Sequence, residues 1–187
     1  MNGMNKRIAT LWVIAFVTLA VMAQADTADI DLKYAGSLLK VGEEAPHFTM
    51  NDVEGRAVSF PQVADGKYVV LDFWASWCGD CRRDIPNMVR MHREYGDRVM
   101  FIGISLDTDA ERLRSFLAQN GVDYLQLCEG VKFRESAVAK LYGVEWIPSM
   151  FLISPEGKVV LSTVVSEKLE REIRSLTPSP SPKGEGR

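Results

Sequence analysis

The stretch Tyr68-Val-Val-Leu-Asp-Phe-Trp74 is apolar, aromatic or β-branched everywhere except Asp72, and a cysteine pair, Cys78-Gly-Asp-Cys81, follows it and opens a segment with helical periodicity. Unbroken apolarity of this kind suits a strand buried on both faces, which needs cover on either side of its sheet. A strand that hands over to a helix through C-x-x-C confines the chain to an α/β architecture, with the cysteines at the carboxyl end of a central strand. In that setting the spacing reads as a redox site.

The chemistry follows from where such a turn puts the two sulfurs. At a helix start, Cys78 faces unsatisfied backbone N–H groups and the positive end of the macrodipole, which favour a thiolate. Cys81 returns to the same side about one turn later, so the pair can close a small disulfide with little backbone movement. A stabilised thiolate is also a weaker nucleophile, so the net gain in attack is small. The helix end acts mainly on how readily Cys78 leaves when Cys81 attacks a mixed disulfide, and on the equilibrium poise of the pair.

The N-terminus has to be set aside before the fold is argued. Lys6 and Arg7 precede an apolar run from Ile8 to Met22, and Ala23-Gln-Ala25 is a small-x-small cleavage pattern, so residues 1–25 read as a secretory signal peptide. The run is short of the ~20 residues a membrane span needs; left uncleaved it would be an anchor. Without this leader two of the 22 basic residues and none of the 25 acidic ones are lost, leaving a net charge of −5. A mildly acidic chain with no basic cluster is a poor nucleic-acid binder. Export, expected to the periplasm, puts all three cysteines in an oxidising compartment, where an odd count leaves one thiol buried or free to exchange.

Residues 26–40 carry no clear periodicity and read as a surface lead-in. Pro46 to Asp52 and Ala57 to Phe60, separated by Glu54-Gly55, form an expected β-hairpin. Val99 to Leu106 is a second buried strand, and Thr108-Asp-Ala-Glu111 a capping box for a helix closed by Gly121. A short strand at Tyr124 to Cys128, a helix near Glu135 to Tyr142 and a hairpin about Pro155-Glu-Gly157 follow. A last helix is expected to be capped by Ser166. Thr177 to Arg187 alternates Pro and Ser before turning polar, which predicts a disordered tail. The expected fold class is α/β: a central mixed sheet flanked by helices, with an N-terminal β-hairpin and an inserted helix-strand, over residues 41–176.

Taken together, Phe73-Trp-Ala-Ser-Trp-Cys-Gly-Asp-Cys81, Pro86, Tyr142-Gly-Val144, Ile147-Pro148 and Phe151 to Lys158 resemble the thioredoxin superfamily. Within it they resemble the exported TlpA/ResA-like thiol–disulfide oxidoreductases. The resemblance implies a thioredoxin-like fold in which Cys78 is the attacking thiol, Cys81 the resolving one and Pro148 a cis-proline beside the disulfide. It also implies that the backbone of Ile147 meets the substrate as a strand edge, with Trp77, Gly79 and Asp80 beside it. Asp72 matches the buried acid of plain thioredoxins, whose burial raises its pKa and lets it take the proton of Cys81. Asp80 departs from the usual proline; a carboxylate beside the sulfurs opposes a thiolate and makes the pair more reducing.

Thiol exchange needs no cofactor. The partners implied are substrate proteins carrying disulfides and a membrane electron donor, and the chain is expected to act as a monomer. Three other chemistries compete. A zinc site would have to be completed from Cys128, His47 and His92, none in a ligand-like spacing. A Cu(I) carrier is a stronger rival, since thiolates suit that ion. A thiol peroxidase would want P-x-x-x-T-x-x-C, where Leu71 and Ala75 stand instead.

Overall fold

A computed structural model describes residues 30–176; the expected leader at 1–25, the start of the lead-in and the tail at 177–187 lie outside that range. The strands are β1 (Phe48–Asn51), β2 (Ala57–Phe60), β3 (Tyr68–Trp74), β4 (Val99–Ser105), β5 (Leu125–Cys128), β6 (Ser149–Ile153) and β7 (Val159–Thr163). The helices are α1 (Gly79–Tyr95), α2 (Ala110–Asn120), α3 (Ala137–Leu141) and α4 (Ser166–Leu176). β1 and β2 pair antiparallel as a separate hairpin. The other five strands form one mixed sheet in the order β5-β4-β3-β6-β7, parallel from β5 to β3 and antiparallel from β3 to β7.

This is the α/β fold expected from the sequence, and β3, flanked by β4 and β6, is its middle strand, covered on both sides as its apolar run requires. Leu71 and Phe73 pack into one core cluster with Tyr142 and Phe151, the Phe73 ring lying 5.5 and 5.7 Å from theirs. Val70 belongs to a second cluster with Met88, Met91 and Tyr95 of α1 and Leu169 and Ile173 of α4. Side chains alternate along a strand, so Asp72 shares the face of Val70, beneath α1. The parallel step from β3 to β4 passes through α1, which leaves the β3–α1 turn at the sheet's carboxyl edge.

Three local expectations are corrected. α2 is capped by Asp109 rather than Thr108: its carboxylate accepts from the N–H groups of Glu111 and Arg112, both at 3.0 Å, and a charged acceptor at a helix N-terminus outcompetes a hydroxyl. Ser166 is the first residue of α4 and not its cap; its hydroxyl donates to Asp84 Oδ1 at 2.6 Å. The lead-in lies mostly at the surface as expected, but residues 30–34 are helical and Leu38, 1% exposed, is part of the core.

Candidate active site

Cys78 is the N-cap of α1, with extended backbone, and Gly79 is the first helical residue. Its Sγ accepts from the Cys81 N–H at 3.3 Å, as an oxygen would in an ordinary cap, and its S–H faces the Ile147 carbonyl at 3.7 Å. Cys81 lies one turn inward and is 2% exposed, whereas Cys78 is half-buried at the edge of solvent. The arrangement therefore presents one sulfur outward and keeps the other directly behind it. Burial pushes the Cys81 thiol well up from its ordinary range, and the adjacent Cys78 and Asp72 push the same way.

The Ile147–Pro148 peptide is cis and leads into β6, which brings both residues from far along the chain to the cysteine turn. A groove of about 780 Å³ opens in front of Cys78, walled by Trp77, Gly79 and Asp80 on one side and by Trp146 and Ile147 on the other. Trp77 is 57% exposed, large for an indole, and stands beside the outward sulfur.

Behind the cysteines, Asp72, Cys81, Asp84 and Pro148 line a crevice too narrow to hold a water molecule. Burial pushes the Asp72 carboxyl up to about 8; the neighbouring Asp84 adds to this, and the Tyr124 hydroxyl, donating to Asp72 Oδ2 at 3.4 Å, works against it. Asp84 is itself raised by burial, against hydrogen bonds from Ser166 and from Asn87. A carboxyl held near neutrality beside a thiol that is hard to ionise is placed to exchange a proton with it.

Asp80 differs from the sequence reading in one respect. Arg83, one turn on, ion-pairs with its carboxylate, so the charge counted as bare is partly offset. Among the described residues, no three Cys, His, Asp or Glu side chains are grouped so as to hold a metal ion. Cys128 Sγ donates to the Asp107 carbonyl at 3.1 Å and His92 Nδ1 lies 3.0 Å from Asp123 Oδ1.

A sequence model of the AhpC/TSA family matches residues 41–162. The thiol–disulfide oxidoreductase ResA of Bacillus anthracis is 30% identical over 145 residues, covering 75% of this chain and 80% of its own. A thiol–disulfide oxidoreductase from Bacteroides fragilis superposes with a TM-score of 0.67 at 28% identity, over 72% of this chain and all of its own. A putative thiol:disulfide interchange protein DsbE from Chlorobium tepidum gives 0.64 at 32%, over 74% and 96%. The chain belongs to the AhpC/TSA family and to its ResA/TlpA/DsbE-like thiol–disulfide oxidoreductases. The P-x-x-x-T-x-x-C pattern of a thiol peroxidase is broken here at Leu71, inside β3, and at Ala75, next to it.

Several residues of this oxidoreductase's site are absent from the sequence reading. Asp84 was detectable in principle, since it follows Cys81 by three on the same helix and so shares its face. Asp107 was not. Its carboxylate accepts from the N–H and hydroxyl of Ser76 at 2.9 and 2.7 Å and from Ser105 at 2.8 Å, pinning the loop that carries Cys78. That link exists only because β3 and β4 are in register, with Trp74 opposite Ser105. Trp146 and Tyr124 reach the site the same way, by strand pairing.

Proposed function

We propose that this oxidoreductase reduces disulfides of proteins outside the cytoplasm through Cys78 and Cys81. The Cys78 thiolate attacks one sulfur of a substrate disulfide; that bond breaks, a mixed disulfide forms, and the other substrate sulfur leaves as a thiolate that takes up a proton. Cys81 gives its proton to Asp72, through the minor ionised fraction that a pKa of about 8 leaves at neutral pH, and attacks Cys78 Sγ. The mixed disulfide breaks, the second substrate sulfur departs as a thiolate that takes up the proton held by Asp72 or one from water, and the enzyme is left with a Cys78–Cys81 disulfide. The substrate has gained the two electrons the enzyme lost, and a dithiol donor at the membrane restores the starting state. Ile147 and Pro148 supply the edge along which the substrate polypeptide lies, beside Trp77, Gly79 and Asp80.

The observation that carries this reading is the pairing of an outward sulfur at a helix cap with a buried thiol one turn behind it, the Cys81 N–H donating to Cys78 Sγ at 3.3 Å. The reducing direction is supported by the surroundings of the pair. Asp80 shares the front groove with Cys78, and Cys81 is buried at the rear crevice, where its thiol resists ionisation. Nearby negative charge disfavours an ionised dithiol, and a dithiol poorly stabilised against its disulfide makes a reducing couple. The leader-like residues 1–25 support an exported, periplasmic location, or a membrane-anchored one if they are retained.

Insulin reduction with dithiothreitol tests the chemistry: a Cys78→Ser variant should lose turnover, and unchanged turnover would refute it. Direction is tested by equilibrating the couple with glutathione. A potential near the ~−120 mV of strong oxidants would overturn the reductase assignment.

A further inference from the structure

The segment before the hairpin is fastened to the domain at both ends. The Asp31 carboxylate accepts from Thr163 Oγ1 at 2.8 and 3.0 Å and from the Val164 N–H at 2.9 Å, and it ion-pairs with Lys168, both side chains being about four-fifths covered. Further on, Leu38 is buried and the Leu39 N–H donates to the Tyr142 carbonyl at 3.3 Å. The Ser37 carbonyl passes so close to Gly143, which has a φ of +66°, that a Cβ there would lie 2.1 Å from it. Gly143 begins the loop that ends in Ile147-Pro148, so the segment supports that loop from behind.

Between these anchors, Tyr34 stacks on Trp146 with ring centroids 4.6 Å apart and planes 25° off parallel. This pair is not core: Trp146 remains 44% exposed and Ile30, nearby, 43%. Trp146 and Asp80 line the groove that holds Cys78, and they also line a second hollow of about 470 Å³ that reaches Pro148, Tyr34 and Ile30. The two hollows thus adjoin, with the indole as the divider between them and Ile30 and Tyr34 as the wall beyond.

Resting on the proposed disulfide chemistry, we infer that residues 30–39 are a built-in wall of the substrate site, in which Tyr34 holds Trp146 in place to receive the polypeptide flanking the reacting cystine. The meeting of the second hollow with the Cys78 groove at Trp146 and Asp80 identifies the occupant. A disulfide-bearing chain crossing Ile147-Pro148 can run toward Phe133 and Lys140 on one side and into this second hollow on the other. Carboxyl groups of Asp80, Asp84 and Glu167 line this hollow against the single guanidinium of Arg83, which favours basic flanking residues over acidic ones. The anchored wall is ordered before substrate arrives, which lowers the cost of binding. Tyr34 is a positioning residue, since it acts through the indole.

Steady-state reduction of a polypeptide disulfide, compared with a small aromatic disulfide, tests this. Tyr34→Ala should raise KM for the polypeptide about two- to tenfold more than for the small disulfide, the range a lost aromatic pair gives. Tyr34→Phe, which keeps the stack, should restore it. Asp31→Asn, which loosens the anchor from outside the site, should act in the same direction and serves should Tyr34→Ala fold poorly. Equal KM changes for the two substrates in these variants would overturn the inference, as would equal KM for lysine- and glutamate-flanked peptide disulfides in the unaltered protein. Failure of the unaltered protein to reduce any polypeptide disulfide would instead refute the proposed function.

Discussion

Replacing Asp72 with asparagine should make the reduced protein more stable, by an amount that grows with pH. The carboxyl is 3% exposed, and its pKa rises from 3.8 to about 8 in the fold, chiefly through burial. Between those values the unfolded chain releases the proton while the folded protein keeps it. Folding then binds a proton, and stability falls as pH rises, by about 1.4 kcal/mol per pH unit. The penalty is absent below the unfolded value, reaches about 4 kcal/mol at pH 7 and levels off near 6 kcal/mol once the folded carboxyl ionises. The asparagine side chain carries no such charge, and its amide oxygen can still accept from Tyr124. Urea denaturation of both proteins, reduced, from pH 4 to pH 9 reads the difference. It should widen steadily up to about pH 8 and then flatten. A gap that does not change with pH would mean that Asp72 is not a buried acid with a raised pKa, and its role as proton acceptor for Cys81 would fall with it.

Arg83→Ala should free the Asp80 carboxylate and shift the couple toward reducing potentials, by no more than about 20 mV because the pair is exposed. A shift toward oxidising values in the glutathione equilibrium would contradict the electrostatic argument. Asp107→Ala should remove the acceptor for Ser76 and Ser105 and cost about 1–3 kcal/mol in denaturant unfolding, with a loss of insulin turnover as the Cys78 loop loosens. A variant as stable and active as the unaltered protein would show that the carboxylate does not hold the loop.

The expected two-faced burial of Tyr68 to Trp74, the helix opening at the cysteines and the α/β class were legible because they depend on local periodicity and on a spacing of three residues. Asp72 stood out in the sequence for a similar reason, as the single charge in an apolar strand. Pro148 and Ile147 entered only through resemblance, because nothing in their own neighbourhood points to a cysteine turn about seventy residues away.

What the amino-acid order determined by itself was therefore the reactive turn and the type of layer it sits in, since each follows from contacts within a few residues. What tertiary structure decided was everything that gives the two sulfurs unequal surroundings. Antiparallel pairing of β3 with β6 carries Ile147 and Pro148 to Cys78, and parallel pairing with β4 sets Asp107 under the loop. The helical turn at 30–34, without periodicity to announce it, is held where it is by a carboxylate whose three donors all come from the far end of the chain. Hydrogen bonds and stacks between segments so distant in sequence leave no local pattern, because their geometry exists only once the sheet has formed.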